Sequence, residues 1–341
     1  MLHDATKSRF ETLREALCDG RPLLTVIVDT EEEFDWSGPR ARENRSVTAI
    51  PAQARAHEVF ARFGIVPTYA VDFPVAADPD ASAFLRGYLE AGLCEIGAHL
   101  HPWVNPPDEE PVTALTSYAG NLPPDLERRK LAALTDTIER AFGRPPRVYR
   151  AGRYGIGPAT PGFLADLGYW VDASVVPHTR FTDDGGPDFV GEGPRPRALD
   201  GQPEMMELPL SVGFAGRLRR HGPRVADRLF SPPSIRAHVP GLLARSGLLE
   251  RIRLTPEGAS VAEQTRLTRA LLQDDVRVLS YSYHSPSLAP GNTPYVRDEA
   301  DLAAFLDTMG GYFAEAIEKQ GAVPATATEI YQLWRAGALP A

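Results

Sequence analysis

Residues 23–29 read LLTVIVD, a short apolar and β-branched run that ends on an acid. Such a run predicts a buried strand. The segments that follow repeat the theme. Gln53–Phe63 has helical spacing and stops at Gly64, and Val66–Asp72 (VPTYAVD) is again a strand ending on an acid. Ala83–Ala91 is helical and stops at Gly92, and Cys94–His99 (CEIGAH) is a strand ending on histidine. Asp125–Phe142 predicts a long helix with Asp125 as N-cap and Gly143 as stop. Arg147–Arg150, Tyr169–Ser174, Met205–Leu210 and Val276–Tyr283 read as strands. Thr160–Leu167, Glu263–Leu272 and Leu302–Glu318 read as helices. Alternating β and α elements predict a mainly parallel sheet with helices outside it. About seven such units favour a closed or nearly closed α/β barrel over an open sheet.

Three stretches interrupt the alternation: Pro102–Pro124 and Pro177–Pro203, both rich in Pro and Gly, and Phe214–Pro233, rich in Arg. The expected organisation is an N-terminal helical extension over 1–20 and one barrel domain over 21–341, with insertion loops around 102–124 and 177–235. Loops this long in a compact domain usually cover a site or are disordered.

The chain has 341 residues, 43% of them hydrophobic, enough for a sizeable core. Its 36 Lys and Arg against 45 Asp and Glu give a formal charge of −9, which argues against nucleic acid as a partner. The two cysteines, Cys18 and Cys94, are too few for a disulfide framework. Residues 1–17 contain no continuous apolar region, and no stretch approaches the roughly 20 apolar residues of a spanning helix. The expected compartment is the cytoplasm. The composition is compatible with a homo-oligomer.

Chemistry is concentrated where strands end: Asp29, Asp72, His99, Arg150, Asp172, Glu207 and His284. In an α/β barrel the carboxyl ends of the strands face one mouth, where sites are built. Taken singly, Asp72 and Glu207 are better read as N-cap or turn residues. His99 and His101 are the sharpest local signal. Residues i and i+2 of an extended chain face the same side, so the two imidazoles can share one cation. A third ligand would come from an acid at a neighbouring strand end, with Asp29 and Glu31 both available. Positions 29–35 (DTEEEFD) hold five acids. A solvated turn is the plain reading of that run, but flanking Phe34 and Trp36 suggest that it packs down. Packed like charges then need a cation or a proton.

In order, Val26–Glu31, EIGAH (95–99), YRAGRYG (149–155), GYWVDAS (168–174) and SYHS (282–285) resemble the five motifs of the polysaccharide deacetylases, the NodB-homology group of carbohydrate esterase family four. More narrowly, DTEEEFDW, GAHLHPWVNPP, AGRYG and HSPSLAPGNTPY resemble the WalW-type branch. The resemblance covers nearly the whole chain and implies a distorted (β/α)7-type barrel in a single domain, its long loops over the C-terminal mouth. It also implies a divalent metal, Zn²⁺ in the first instance, and removal of an N- or O-acyl group from a sugar. Two positions depart from the family pattern. Thr30 follows Asp29 where a second Asp is usual, which leaves Glu31 as the replacement ligand. Trp103 stands where the second histidine is usual, which leaves His101.

The resemblance implies Asp29 as general base, His284 as general acid, Arg150 or Arg153 as the group orienting the base, and Asp172 fixing a neighbouring charge. The oxyanion would lie on the metal and on a backbone N–H near Tyr154. For Arg150 a structural ion pair beneath the site is an equal reading. Trp36, Trp103, Arg153 and Tyr154 fall on the motif loops as candidate substrate contacts, although core packing is the commoner use of Trp. Three other functions compete. One is a small-molecule amidase acting on a cyclic or linear amide. Another is a metal amidohydrolase whose His-x-His lies on the first strand, against which the position after the third strand counts here. The last is a degenerate barrel that binds glycans without turnover.

Overall fold

β1 (Leu23–Thr30) is buried along its whole length and lies near the middle of a largely parallel sheet. The computed structural model describes residues 2–231, 234 and 237–339. Positions 1, 232, 233, 235, 236, 340 and 341, parts of the expected N-terminal extension, Arg-rich loop and C-terminus, lie outside the described residues. Ten further strands follow: β2 (Thr68–Val71), β3 (Glu95–Leu100), β4 (Val148–Ala151), β5 (Val171–Asp172), β6 (Arg197–Leu199), β7 (Gln202–Glu207), β8 (Val212–Ala215), β9 (Glu250–Arg253), β10 (Val278–His284) and β11 (Val323–Pro324).

The order β10-β1-β2-β3-β4-β5-β7 contains seven parallel strands, with β6 antiparallel on the outer edge of β7 and β11 beside β1. No ladder joins β7 to β10 among the described residues. Single hydrogen bonds bridge the gap instead: Ser211 N–H donates to the Ser280 carbonyl (3.2 Å), Leu254 N–H to Ser211 (3.0 Å) and Ser282 N–H to Leu254 (3.2 Å). The fold is therefore a distorted seven-stranded α/β barrel, incompletely closed.

Period-two alternation divides the strands into two faces. Leu24, Val26 and Val28 of β1, Tyr69 and Val71 of β2, and Leu279, Tyr281 and Tyr283 of β10 face the surrounding helices. Leu23 and Ile27 face inward with Ala70, Val148, Val171, Met206 and Val278. There they meet Leu13 and Ala16 of the helix Leu2–Cys18 and Ile330 and Leu333 of the helix Ala327–Arg335, which plug the floor of the barrel. Each such buried aliphatic side chain contributes about 1.5–3 kcal/mol. The same inward phase carries the polar residues one layer higher: Asp29 lies opposite His284, and His99 opposite Arg150.

Several boundaries differ from the expected ones. Asp125 is not the N-cap: the helix Pro124–Phe142 starts earlier because Pro124, with its fixed φ, occupies the first turn and leaves Asp125 inside it. The expected strand Met205–Leu210 shifts to Gln202–Glu207 because antiparallel pairing with β6 recruits the polar Gln202. The antiparallel β8–β9 pair, β6 and β11 have no counterpart in the sequence reading. No described helix is long and apolar enough to cross a membrane.

Candidate metal centre and catalytic cleft

Glu31, His99 and His101 meet at the C-terminal mouth of the strands. Each is 2% exposed. Glu31 Oε2 lies 3.3 Å from Nε2 of His99 and 3.3 Å from Nε2 of His101. A tetrahedral zinc with bonds of about 2.0–2.1 Å holds its ligand atoms roughly 3.3–3.4 Å apart. The spacing therefore suits a zinc-sized ion. The other ring nitrogens are engaged, which leaves both Nε2 atoms as acceptors. His99 Nδ1 is 3.1 Å from the Arg150 carbonyl, and His101 Nδ1 is 2.7 Å from Glu32 Oε2. Glu31 Oε1 is buried without a partner. Burial, then the neighbouring imidazole, holds His99 down at about 3. Burial also holds His101 at about 3, against the opposing charges of Asp72 and Asp29. Both are neutral at pH 7, as metal ligands must be. Burial and the charges of Glu32 and Asp29 push the Glu31 carboxyl well above its usual range. The donor set thus fits a divalent ion, whose charge would offset that repulsion.

One glycine decides whether His101 can stand where it does. A Cβ on Gly152 would lie 2.3 Å from His101 Cδ2 and 2.5 Å from the Leu100 carbonyl oxygen. Only glycine leaves room for the imidazole.

Asp29 lies beside this group. Burial pushes its carboxyl up, but the charges of Arg150 and His284 and the Arg150 hydrogen bond outweigh that and hold it well below the usual range. Arg150 is fully buried and crosses from β4. Its Nη1 donates to Asp29 Oδ1 (2.5 Å) and its Nε to the Ala173 carbonyl (2.9 Å). His284 Nε2 lies 3.6 Å from Asp29 Oδ2, beyond hydrogen-bond range. On the far side, Glu257 accepts from His284 Nδ1 (2.8 Å) and from the His284 N–H (3.0 Å). Burial lowers His284, yet the Glu257 carboxylate and then Asp29 raise it above the ordinary imidazole value.

A cleft of about 230 Å³ opens over these groups. Trp36 stands edge-on to His284, ring centres 4.8 Å apart. Trp103 is buried, stacks on His101 at 4.2 Å and donates its indole N–H to Glu32 Oε1 (2.7 Å). Tyr154 lines the cleft, and its hydroxyl accepts from Arg253 (2.5 Å). Arg153 pairs with Asp184, donates to Ser117 Oγ (2.5 Å) and lies 4.1 Å from the Tyr118 ring centre. Arg153 and Tyr154 both have positive φ, 53° and 60°. Two consecutive non-glycine residues in the left-handed region mark a strained turn held by its surroundings. The loops 102–124 and 177–203 supply Trp103, Tyr118 and Phe181 to the walls.

Asp172 departs from the sequence expectation. Its register partners are Tyr149 and Glu207, and Tyr149 faces the helices. Asp172 is therefore on the outward phase of β5, where it accepts from the Ser174 N–H (3.1 Å) and hydroxyl (2.5 Å), and it does not line the cleft. Burial pushes its carboxyl up to about 6. Asp72 caps the helix Phe73–Ala77 through the Val75 N–H (2.8 Å) and also accepts from the Glu32 N–H (2.7 Å). Glu207 accepts from the Val175 N–H (3.2 Å). Sequence reasoning missed Glu257, Arg253, Arg40, Tyr118, Phe181 and Tyr295, and it gave Glu32 no role. A signal existed for Glu32 alone: Trp103 and His101 both bring a buried N–H that requires an acceptor.

The fold is one already known from solved structures. The chain is similar to a protein designated a polysaccharide deacetylase from Mycobacterium smegmatis (18% identity, 94% of this chain and 93% of that one, TM-score 0.52). It is similar also to Puue allantoinase (15% identity, 94% and 92%, TM-score 0.54). A third structure, designated a glycoside hydrolase/deacetylase from Parabacteroides distasonis, gives 12% identity over 93% and 72% of the chains with a TM-score of 0.59. At these identities the likeness is one of fold. No protein-family model and no curated protein matches the chain.

Proposed function

We propose that this chain is a metal-dependent hydrolase that removes an N- or O-acyl group, a polysaccharide deacetylase-like enzyme of the WalW-type branch. One observation carries the reading: a zinc-spaced Glu31–His99–His101 group lines the same cleft as Asp29 and His284, which Arg150 and Glu257 hold from behind. A divalent ion held there, Zn²⁺ by its donor set, would acidify a water and polarise the scissile carbonyl. Asp29, kept ionised by Arg150, accepts the water's proton at Oδ2. His284, protonated at Nε2 and held at Nδ1 by Glu257, donates a proton to the leaving nitrogen or oxygen. A backbone N–H near Tyr154, in its strained turn, would donate to the oxyanion, an interaction worth about 3–4 kcal/mol when well aimed. Trp36 and Arg153 border the bound substrate. Trp103, which also lines the cleft, stacks on His101 and acts through it.

The loops that wall the cleft with Trp103, Tyr118 and Phe181 favour a compact substrate, an acylated monosaccharide or a small amide, over a long polymer. Asp29→Asn and His284→Ala should each abolish release of acetate or formate from acyl substrates while unfolding as the native protein does. Retained turnover in both variants would overturn the mechanism. No stoichiometric divalent ion in the purified protein, and none lost in His99→Ala, would favour a binding module instead.

A further inference from the structure

Four arginines come to the cleft or lie directly under it. Arg150 is paired with Asp29 and Arg153 with Asp184. Arg253 donates to the Tyr154 and Ser282 hydroxyls, and its Nε is buried without a partner. Arg40 has less. Its guanidinium lies 5.6 Å from the Phe34 ring centre, its Nε is buried without a partner, and among the described residues no carboxylate stands at ion-pair distance from it. Burial and the neighbouring positive charge of Arg153 destabilise its charged form, with Asp184 opposing. A guanidinium presents a planar fork of donors, and a half-buried one without an acceptor is costly. Arg40 lines the same cleft as Glu31, His99 and His101, between Phe34 and the Arg153–Tyr118 stack. A neutral acyl sugar could accept hydrogen bonds from that fork but would leave its charge unopposed.

We infer that the cleft takes an anionic ligand: a small amide or ester whose end remote from the scissile bond carries a carboxylate, received by Arg40 with Arg153 beside it. As a statement about substrate this rests on the hydrolase reading; as a statement about binding it stands on the arginines alone. The cleft has room for an acyl group and a short acid.

Titration calorimetry on the full chain tests the inference, with and without zinc, using N-acetylglycine, its neutral amide and inorganic phosphate as probes. In the metal-free protein N-acetylglycine should bind more tightly than the amide by roughly tenfold to a hundredfold, the range of one charge-assisted hydrogen-bonded contact. Arg40→Gln should erase that preference and Arg40→Lys retain part of it. Equal affinity for acid and amide, binding of neither, or a preference that survives Arg40→Gln would overturn the inference. So would a preference seen only with zinc present, because the carboxylate would then be bound to the metal. Tighter binding of phosphate than of N-acetylglycine would also overturn the choice of carboxylate. Failure of zinc to bind at all would refute the hydrolase reading and leave the metal-free comparison intact.

Discussion

Gly152→Ala is the most incisive test of whether His101 belongs to the metal group. The new Cβ would lie 2.3 Å from His101 Cδ2, where an ordinary contact begins at 3.4 Å. The imidazole must therefore retreat by about 1 Å, several times the ~0.2 Å tolerance of a metal–ligand distance. The Leu100 carbonyl, 2.5 Å from the same Cβ, is backbone and cannot swing aside. Overpacking of this kind costs about 1–3 kcal/mol in stability. Zinc affinity should fall by at least roughly the 10–100-fold typical of a disturbed outer-shell contact, because here a ligand itself is displaced. Competition against a chromophoric chelator measures the affinity, and urea unfolding of the metal-free protein measures the packing cost separately. The decisive comparison is a double-mutant cycle. In a His101→Ala background the ring is gone, so Gly152→Ala should weaken zinc no further and should cost only the clash with Leu100. Native zinc affinity in Gly152→Ala, or the same additional loss in both backgrounds, would refute the assignment of His101.

Other perturbations reach the remaining parts. Arg150→Met should destabilise the protein by about 3–5 kcal/mol in urea, because it strands the Asp29 carboxylate in the interior, and Asn at position 29 should restore part of that loss in the double variant. Glu32→Gln should leave the fold intact but lower zinc affinity about 10–100-fold, since Glu32 is the acceptor that fixes the His101 ring. Chelation should lower the melting temperature, and free zinc at 100 times its dissociation constant should return about 2.7 kcal/mol, a response that His99→Ala should lose. Burial holds His57 down at about 4 in the folded state. Between that value and the unfolded imidazole value near 6.5 the unfolded chain binds the extra proton, so stability falls as pH falls through this window. Allowing for partial solvent screening, the loss from pH 7 to pH 5 is about 1–2 kcal/mol, and His57→Phe, which keeps the stack on Tyr88, should abolish it.

Asp29, His99, Arg150 and His284 were legible because each closes an apolar strand, and the alternation of those strands points all four inward. Thr30 then explains itself. It lies on the outward phase of β1, its hydroxyl donating to the Val28 carbonyl, so the next residue able to turn back into the mouth is Glu31. Asp172 shows the limit of the same reasoning. A strand end was recognised, but β5 has two residues, too few for the phase to be read from hydrophobicity, and the acid falls on the wrong side. Glu257 and Arg253 were illegible for another reason. Arg253 lines the cleft from β9 and Glu257 follows it; among the described residues β9 pairs only with β8, across a long connection that carries two short helices, and no periodic pattern in that stretch predicts the pairing. The aromatic walls from Tyr118 and Phe181 depend likewise on loop conformation, set by the Asp184 contacts to Tyr118 and Arg153.

The plugged floor of the barrel has a kinetic consequence. Beneath Asp29 the interior is filled by Leu23, Ile27, Val148, Val171 and Val278 and sealed by two helices, so the cleft is a cul-de-sac. Whatever enters must leave through the open side of the cleft, away from the plug. Two fragments born at the blind end must depart in sequence, the one nearer the opening first. The inner fragment, detained behind its twin, would then compete with incoming substrate and set the pace of the cycle.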